Sequence, residues 1–179
     1  MRRLWNSLRA PLLLGVVWLA GGLPAQELQP LVPELLGVIY YHDAEKNVLV
    51  PLERQPARQS TSGGSFLFGQ YRRRITVAGD RSPVHVPQGQ KLEFVISSGD
   101  VQLYALEPKK NRREVVISKT TYYGVTSRSK SRFAERMLDV KRYGSALKIS
   151  PTEPLPPGEY GFYMGNAMYC FAITPAAAK

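Results

Sequence analysis

The stretch LPPGEYGFYMGNAMYCFAI, Leu155 to Ile173, decides how the chain is read. Leu155, Pro157, Gly158 and Tyr160 follow the spacing L-x-P-G-x-Y of the tyrosine corner, in which a tyrosine opening a late strand of a β-sandwich bonds back to nearby backbone. Proline fixes φ before the corner, and the phenol satisfies a carbonyl that the crossing strands would leave unpaired. Beyond it Tyr160, Phe162 and Met164 alternate onto one face. Gly165-Asn166 predicts a tight hairpin, and Ala167 to Ile173 the closing strand. Met168, Cys170 and Ala172 then share a face, with Cys170 as a small buried hydrophobe.

The same stretch resembles the approach to the metal cysteine in cupredoxins, so a copper centre has to be weighed. Such a centre needs two histidines and a cysteine, with one histidine a few residues after the cysteine. After Cys170 there is only FAITPAAAK, and the two histidines, His42 and His85, lie far upstream. The stretch is therefore read as architecture, and no metal or cofactor is expected.

Outward from the corner the signals are those of strands. PELLGVIYYHD, the turn AEKN and VLVPLE predict an opening hairpin. QPARQSTSGG, residues 55–64, reads as a polar loop, and FLFGQYRRRITVAG returns to strand. KLEFVIS carries the clearest alternation, with Leu92, Phe94 and Ile96 on one side. Val101 to Ser118 reads as two strands joined around Pro108 to Arg112. The polar run at residues 120–132 reads as a long connection, residues 133–144 as the one candidate for a helical turn or two, and ALKISP as strand. The expectation is an all-β, antiparallel Greek-key β-sandwich, immunoglobulin-like, of about eight or nine strands.

Residues 1–25 place Arg2, Arg3 and Arg9 before the apolar run Pro11 to Leu23 and a Leu-Pro-Ala end, the order of a secretory signal peptide. That run is shorter than the ~20 residues a membrane-spanning helix needs. A single domain over residues 26–179 follows, with no membrane span after cleavage and export to the periplasm or the medium. With Cys170 alone, an internal disulfide is impossible. Losing the three leader arginines takes the formal charge from +10 to +7, so the basic character belongs to the exported domain.

Three basic clusters carry that charge: Arg72, Arg73 and Arg74; Lys109, Lys110, Arg112 and Arg113; and Arg128, Lys130 and Arg132. The last two are the candidate anion-binding residues, as loops at one end of the sandwich whose arginines grip phosphate, sulfate or carboxylate in pairs of hydrogen bonds. Each cluster also fits a solvated face, and the Arg72 cluster an edge strand protected from aggregation. Tyr122 and Tyr123 lie close by and would suit stacked bases, but secretion disfavours nucleic acid as partner.

Catalytic signals are sparse. There is no G-x-S-x-G elbow, no H-E-x-x-H and no phosphate-cradling glycine loop. His42 and Asp43 are adjacent but point to opposite faces of a strand, in what reads as a solvated turn. GVIYYHD, LVPLERQ, AGDRSPVHVPQGQKLEFVIS, KKNRR and PLPPGEYGFY together resemble a family of secreted bacterial β-rich proteins with no assigned activity. The resemblance implies a small exported β domain and carries over no site residue. The expected function is a non-catalytic extracytoplasmic module binding an anionic envelope polymer or a protein. The alternative is a small secreted hydrolase using a carboxylate pair, two acids converging in a pocket.

Overall fold

The computed structural model describes residues 31–64, 68–123, 126–131 and 135–176. The expected signal peptide, Arg132 and the start of the candidate helical segment lie outside the described residues. Within them the chain is all-β: fifteen strands and no helix. No helix among the described residues is long and apolar enough to cross a membrane.

The chain opens with the predicted hairpin of β1 (Ile39–Asp43) and β2 (Val48–Pro51). The Asp43 carboxylate accepts the backbone N–H of Glu45 and Lys46 at 3.1 and 3.2 Å, and Asn47 takes φ 51°, a conformation Asn tolerates. Leu52, 4% exposed, carries the chain into the other sheet. There follow β3 (Glu53–Pro56), β4 (Arg58–Ser62), β5 (Phe68–Ala78), β6 (His85–Pro87), β7 (Phe94–Ile96), β8 (Gln102–Lys109) and β9 (Arg112–Tyr123). The chain continues through β10 (Thr126–Ser131), β11 (Glu135–Arg136), β12 (Leu138–Tyr143), β13 (Ala146–Pro151), β14 (Gly158–Met164) and β15 (Ala167–Thr174).

One sheet has the order β12-β13-β7-β1-β2, and the other β3-β15-β14-β8-β9-β5-β4, with β10 on β9, β11 on β8 and β6 on β15. All ladders are antiparallel except that of β6 with β15. Alternation sets the core between the sheets: Ile39, Tyr41, Phe94, Ile96 and Ile149 face Leu103, Tyr160, Phe162, Tyr169 and Phe171. Phe94 lies edge-on to Phe162 with ring centroids 4.7 Å apart. The corner is formed: the Tyr160 hydroxyl donates to the Pro156 carbonyl at 2.8 Å. Gly165, at φ 60°, closes the β14–β15 hairpin on the pair Met164 and Ala167.

The larger sheet also folds back on itself. Its terminal strands β3 and β4 are consecutive in the chain, separated by Ala57 alone, so the sheet curls until its two ends meet. The curl encloses a second core of Ile75, Val77, Tyr104, Leu106, Val115, Met168 and Cys170. Cys170 is fully buried there, and burial pushes its thiol up to about 12, away from reactivity. At Gly161 the side chains of the two neighbouring strands close over the backbone, so that an added Cβ would meet Met168 Cγ at 2.6 Å.

Three expectations are corrected. The loop expected at residues 55–64 is largely β3 and β4, the connection expected at 120–132 contains the end of β9 and β10, and the described part of 133–144 is strand, β11 and β12. The cause is the same in the first two. β4, the first half of β5, the second half of β9 and β10 extend past the second core as a wing, and every residue of β4 is exposed. A strand with both faces in water has no apolar period to read.

Candidate functional site

On β5 the pleat sends Arg72, Arg74 and Thr76 to one side of the wing and Tyr71, Arg73, Ile75 and Val77 to the other. Residues directly opposite in a ladder share a face. Arg58 stands opposite Thr76, Ser60 opposite Arg74 and Ser62 opposite Arg72 on β4, while Lys119 on β9 stands opposite Arg72. A bulge between the Arg73 and Arg74 pairs absorbs Ile117 and keeps the sides matched. Beyond β9, Arg128 stands opposite Thr121, and Lys130 takes the ladder position beside Lys119. Arg58, Arg72, Arg74, Lys119 and Arg128 thus converge on one face of four strands spaced about 4.8 Å apart.

Beyond Glu114, which stands opposite Thr76 and is paired with Arg112, this face has no acid to balance it. β4, β5, β10 and residues 115–123 contain seven lysines and arginines and no aspartate or glutamate. Arg72 Nε donates to Gln70 Oε1 at 2.9 Å, which leaves its terminal amino groups for an incoming acceptor. Arg74 Nε is buried without a hydrogen-bond partner. The opposite face is different in kind: Tyr71 and Tyr122 pack edge to face at 5.3 Å, and Arg73 Nη2 donates to Gln59 Oε1 at 3.1 Å.

The two clusters expected to share a rim are separated. Lys109, Lys110, Arg112 and Arg113 sit at the β8–β9 hairpin, whereas Arg128 and Lys130 lie on β10 along the far end of β9. From Arg112 to Thr121, the partner of Arg128, is nine residues of extended chain, about 30 Å. Lys109 pairs with Glu107 at 3.1 Å and Arg112 with Glu114 at 3.3 Å, so the hairpin is balanced by its own acids. Lys110 is exposed at the turn. Arg113 points inward and is 0% exposed, so it belongs to no open rim. Arg128 instead joins Arg72 and Arg74, which sequence grouping kept apart; only the register of β5, β9 and β10 unites them.

Arg113 gathers two carboxylates, Glu53 and Glu159, inside the curled sheet. Its Nη2 donates to Glu53 Oε2 at 3.0 Å and to the Ala78 carbonyl at 3.0 Å, its Nη1 lies 3.4 Å from Glu159 Oε2, and its Nε donates to the Gly79 carbonyl at 3.2 Å. Burial raises the Glu159 carboxyl above its ordinary range, opposed by Arg113 and the Ser82 N–H. A second ionic group lies on the smaller sheet. Glu93 accepts Lys91 at 2.7 Å and Lys148 at 3.0 Å, with His42 Nδ1 at 3.3 Å. Burial would raise Glu93, but these partners outweigh it and hold the carboxyl at about 2. His42 is therefore not in a solvated turn: it is 8% exposed, while Asp43 turns to Lys46 at 3.0 Å.

A cleft of about 570 Å³ opens at the end of the sandwich between residues 87–92 and 150–155, with Lys91 and Glu153 as its titratable lining. Among the described residues no group of three His, Cys, Asp or Glu side chains is placed to hold a metal. No family model, no curated protein and no solved structure matches this chain. The class that its geometry defines is an all-β, two-sheet protein whose larger sheet curls around a buried arginine and extends a cationic wing.

Proposed function

We propose that this protein is a non-catalytic binding module, exported to the periplasm or the medium, that holds an anionic envelope polymer on the cationic face of its wing. One observation carries the reading: the ladder register gathers Arg58, Arg72, Arg74, Lys119 and Arg128 onto one face, where the acid nearest in register, Glu114, is paired with Arg112. A field of one sign attracts polyanions over a Debye length, and arginine forks then fix them by paired hydrogen bonds. The hydrolase alternative is less well supported, because the carboxylates that converge, Glu53 and Glu159, hold Arg113 between them. An immunoglobulin-like ordering of the sandwich strands stays part of this proposal, supported by the Tyr160 corner.

The test is retention of the purified protein on immobilised polyanions across a salt series. The triple variant Arg58→Ser, Arg72→Ser, Arg128→Ser should lose at least tenfold in affinity and show a shallower salt dependence, since fewer counterions are released. Lys109→Ser with Lys110→Ser should bind as the unaltered protein does. Equal loss in both variants would overturn the assignment to the wing, and retention unchanged in the triple variant would overturn the function.

A further inference from the structure

The wing face contains more than a density of charge: it repeats a pair. Ser60 stands opposite Arg74, and Ser62 opposite Arg72, so two guanidinium groups each have a hydroxyl beside them on the neighbouring strand. Directly opposite residues have Cβ atoms about 5 Å apart, close enough for a hydroxyl and a guanidinium to reach one tetrahedral oxyanion together. The two pairs recur two residues apart along the strand, a step of about 7 Å. Lys119 flanks the Arg72–Ser62 pair on the β9 side.

The arginines are differently prepared. Arg72 Nε is already engaged by Gln70, which directs its two terminal amino groups outward as a fork. Arg74 Nε is buried yet has no acceptor. A nitrogen closed to solvent is also closed to a ligand, so an arriving anion meets Arg74 at its terminal amino groups. Neither arginine has a carboxylate directly opposite it in the ladders, and Glu114, two residues from the Val116 partner of Arg74, is paired with Arg112.

We infer that Arg74 with Ser60 and Arg72 with Ser62 form two successive oxyanion subsites for a linear phosphodiester chain, each taking one phosphate of the repeat. The inference rests on the wing reading and narrows it from anions in general to phosphates in a chain. A tetrahedral phosphate offers oxygens to the guanidinium fork and to the serine hydroxyl at once, whereas a planar carboxylate satisfies the fork alone. Tyr71 and Tyr122 engage each other on the opposite face, and Tyr123, 63% exposed, lies at the far end of the cationic face beyond both Arg–Ser pairs, so the chemistry read at the pairs is the backbone phosphate. Such a backbone occurs in poly(glycerol phosphate) envelope polymers and in single-stranded nucleic acid.

The experiment measures affinity of the full chain for poly(glycerol phosphate), for oligodeoxythymidine and for polyglutamate of matched charge, with Arg74→Lys and Ser60→Ala as variants. Both phosphodiester chains should bind at least tenfold tighter than polyglutamate. Arg74→Lys keeps the charge and loses the fork, so it should erase most of that preference while still binding all three polymers. Ser60→Ala, an exposed change that leaves the fold intact, should reduce the preference a fewfold. Equal binding of phosphodiester and polyglutamate, or an unchanged preference in both variants, would overturn the subsites while leaving the wing reading in place. Tighter binding of oligodeoxythymidine than of poly(glycerol phosphate) would overturn a purely backbone-directed site.

Discussion

Arg113 Nη2 lies 3.0 Å from Glu53 Oε2 inside the curled sheet, with no part of the arginine side chain in contact with solvent. A charge so placed is tolerable only while its partners remain, because desolvation costs several kcal/mol per ion. Arg113→Ala should therefore cost about 3–5 kcal/mol, whereas Arg113→Met combined with Glu53→Gln and Glu159→Gln should recover most of the loss. Urea unfolding of the three proteins checks this. A single variant as stable as the parent would show that Arg113 does not secure the curl.

The Tyr160 corner makes a smaller claim. Tyr160→Phe removes the donor to the Pro156 carbonyl and keeps the ring in the core, so the expected cost is about 1 kcal/mol. Phe94→Ala, in contrast, should cost about 3–5 kcal/mol, since it empties the centre of the main core. Thermal unfolding midpoints should rank the two in that order.

At Gly161 the limit is space. An alanine Cβ would lie 2.6 Å from Met168 Cγ and 3.2 Å from Leu106 Cδ1, both buried. Overpacking of this kind costs about 1–3 kcal/mol, and Met168→Ala in the same chain should relieve part of it. A double variant no more stable than Gly161→Ala alone would contradict this packing.

Acid stability should depend on Glu93. Its folded carboxyl is held at about 2, below the ordinary 4.5, so it contributes stability that is full above pH 4.5 and lost as pH falls toward 2. Glu159 acts with the opposite sign: its raised carboxyl favours the protonated folded form, so its charge weakens the fold at neutral pH and this loss fades on acidification. Glu93→Gln should thus destabilise the protein at pH 7 and converge with the parent near pH 2. Denaturation across that range decides the matter, and a constant gap at every pH would refute it.

How much of this was legible in the sequence depends on burial. Tyr160, Phe162, Phe94 and Ile96 enter the main core at every second position, so their period of two appears in the sequence, as did both hairpin turns. The polar strand β4 carries no such period, because water meets both of its faces, and β10 is threonine, serine, arginine and lysine throughout. The placement of Arg113 was hidden for a different reason. It stands in a run of four basic residues around Asn111, and only its ladder position opposite Val77 turns it inward. Charge clusters were visible as composition, but which of them share a face is a matter of register, and register is set by pairing partners distant in the chain.

The most direct test of the wing as a binding face is a hydrogen-exchange footprint of the full chain with and without poly(glycerol phosphate). The account predicts slowed exchange in β4 and in the adjoining parts of β5, β9 and β10, with the Lys109–Arg112 hairpin unchanged. Protection confined to that hairpin or to the cleft between residues 87–92 and 150–155, with none on the wing, would contradict it.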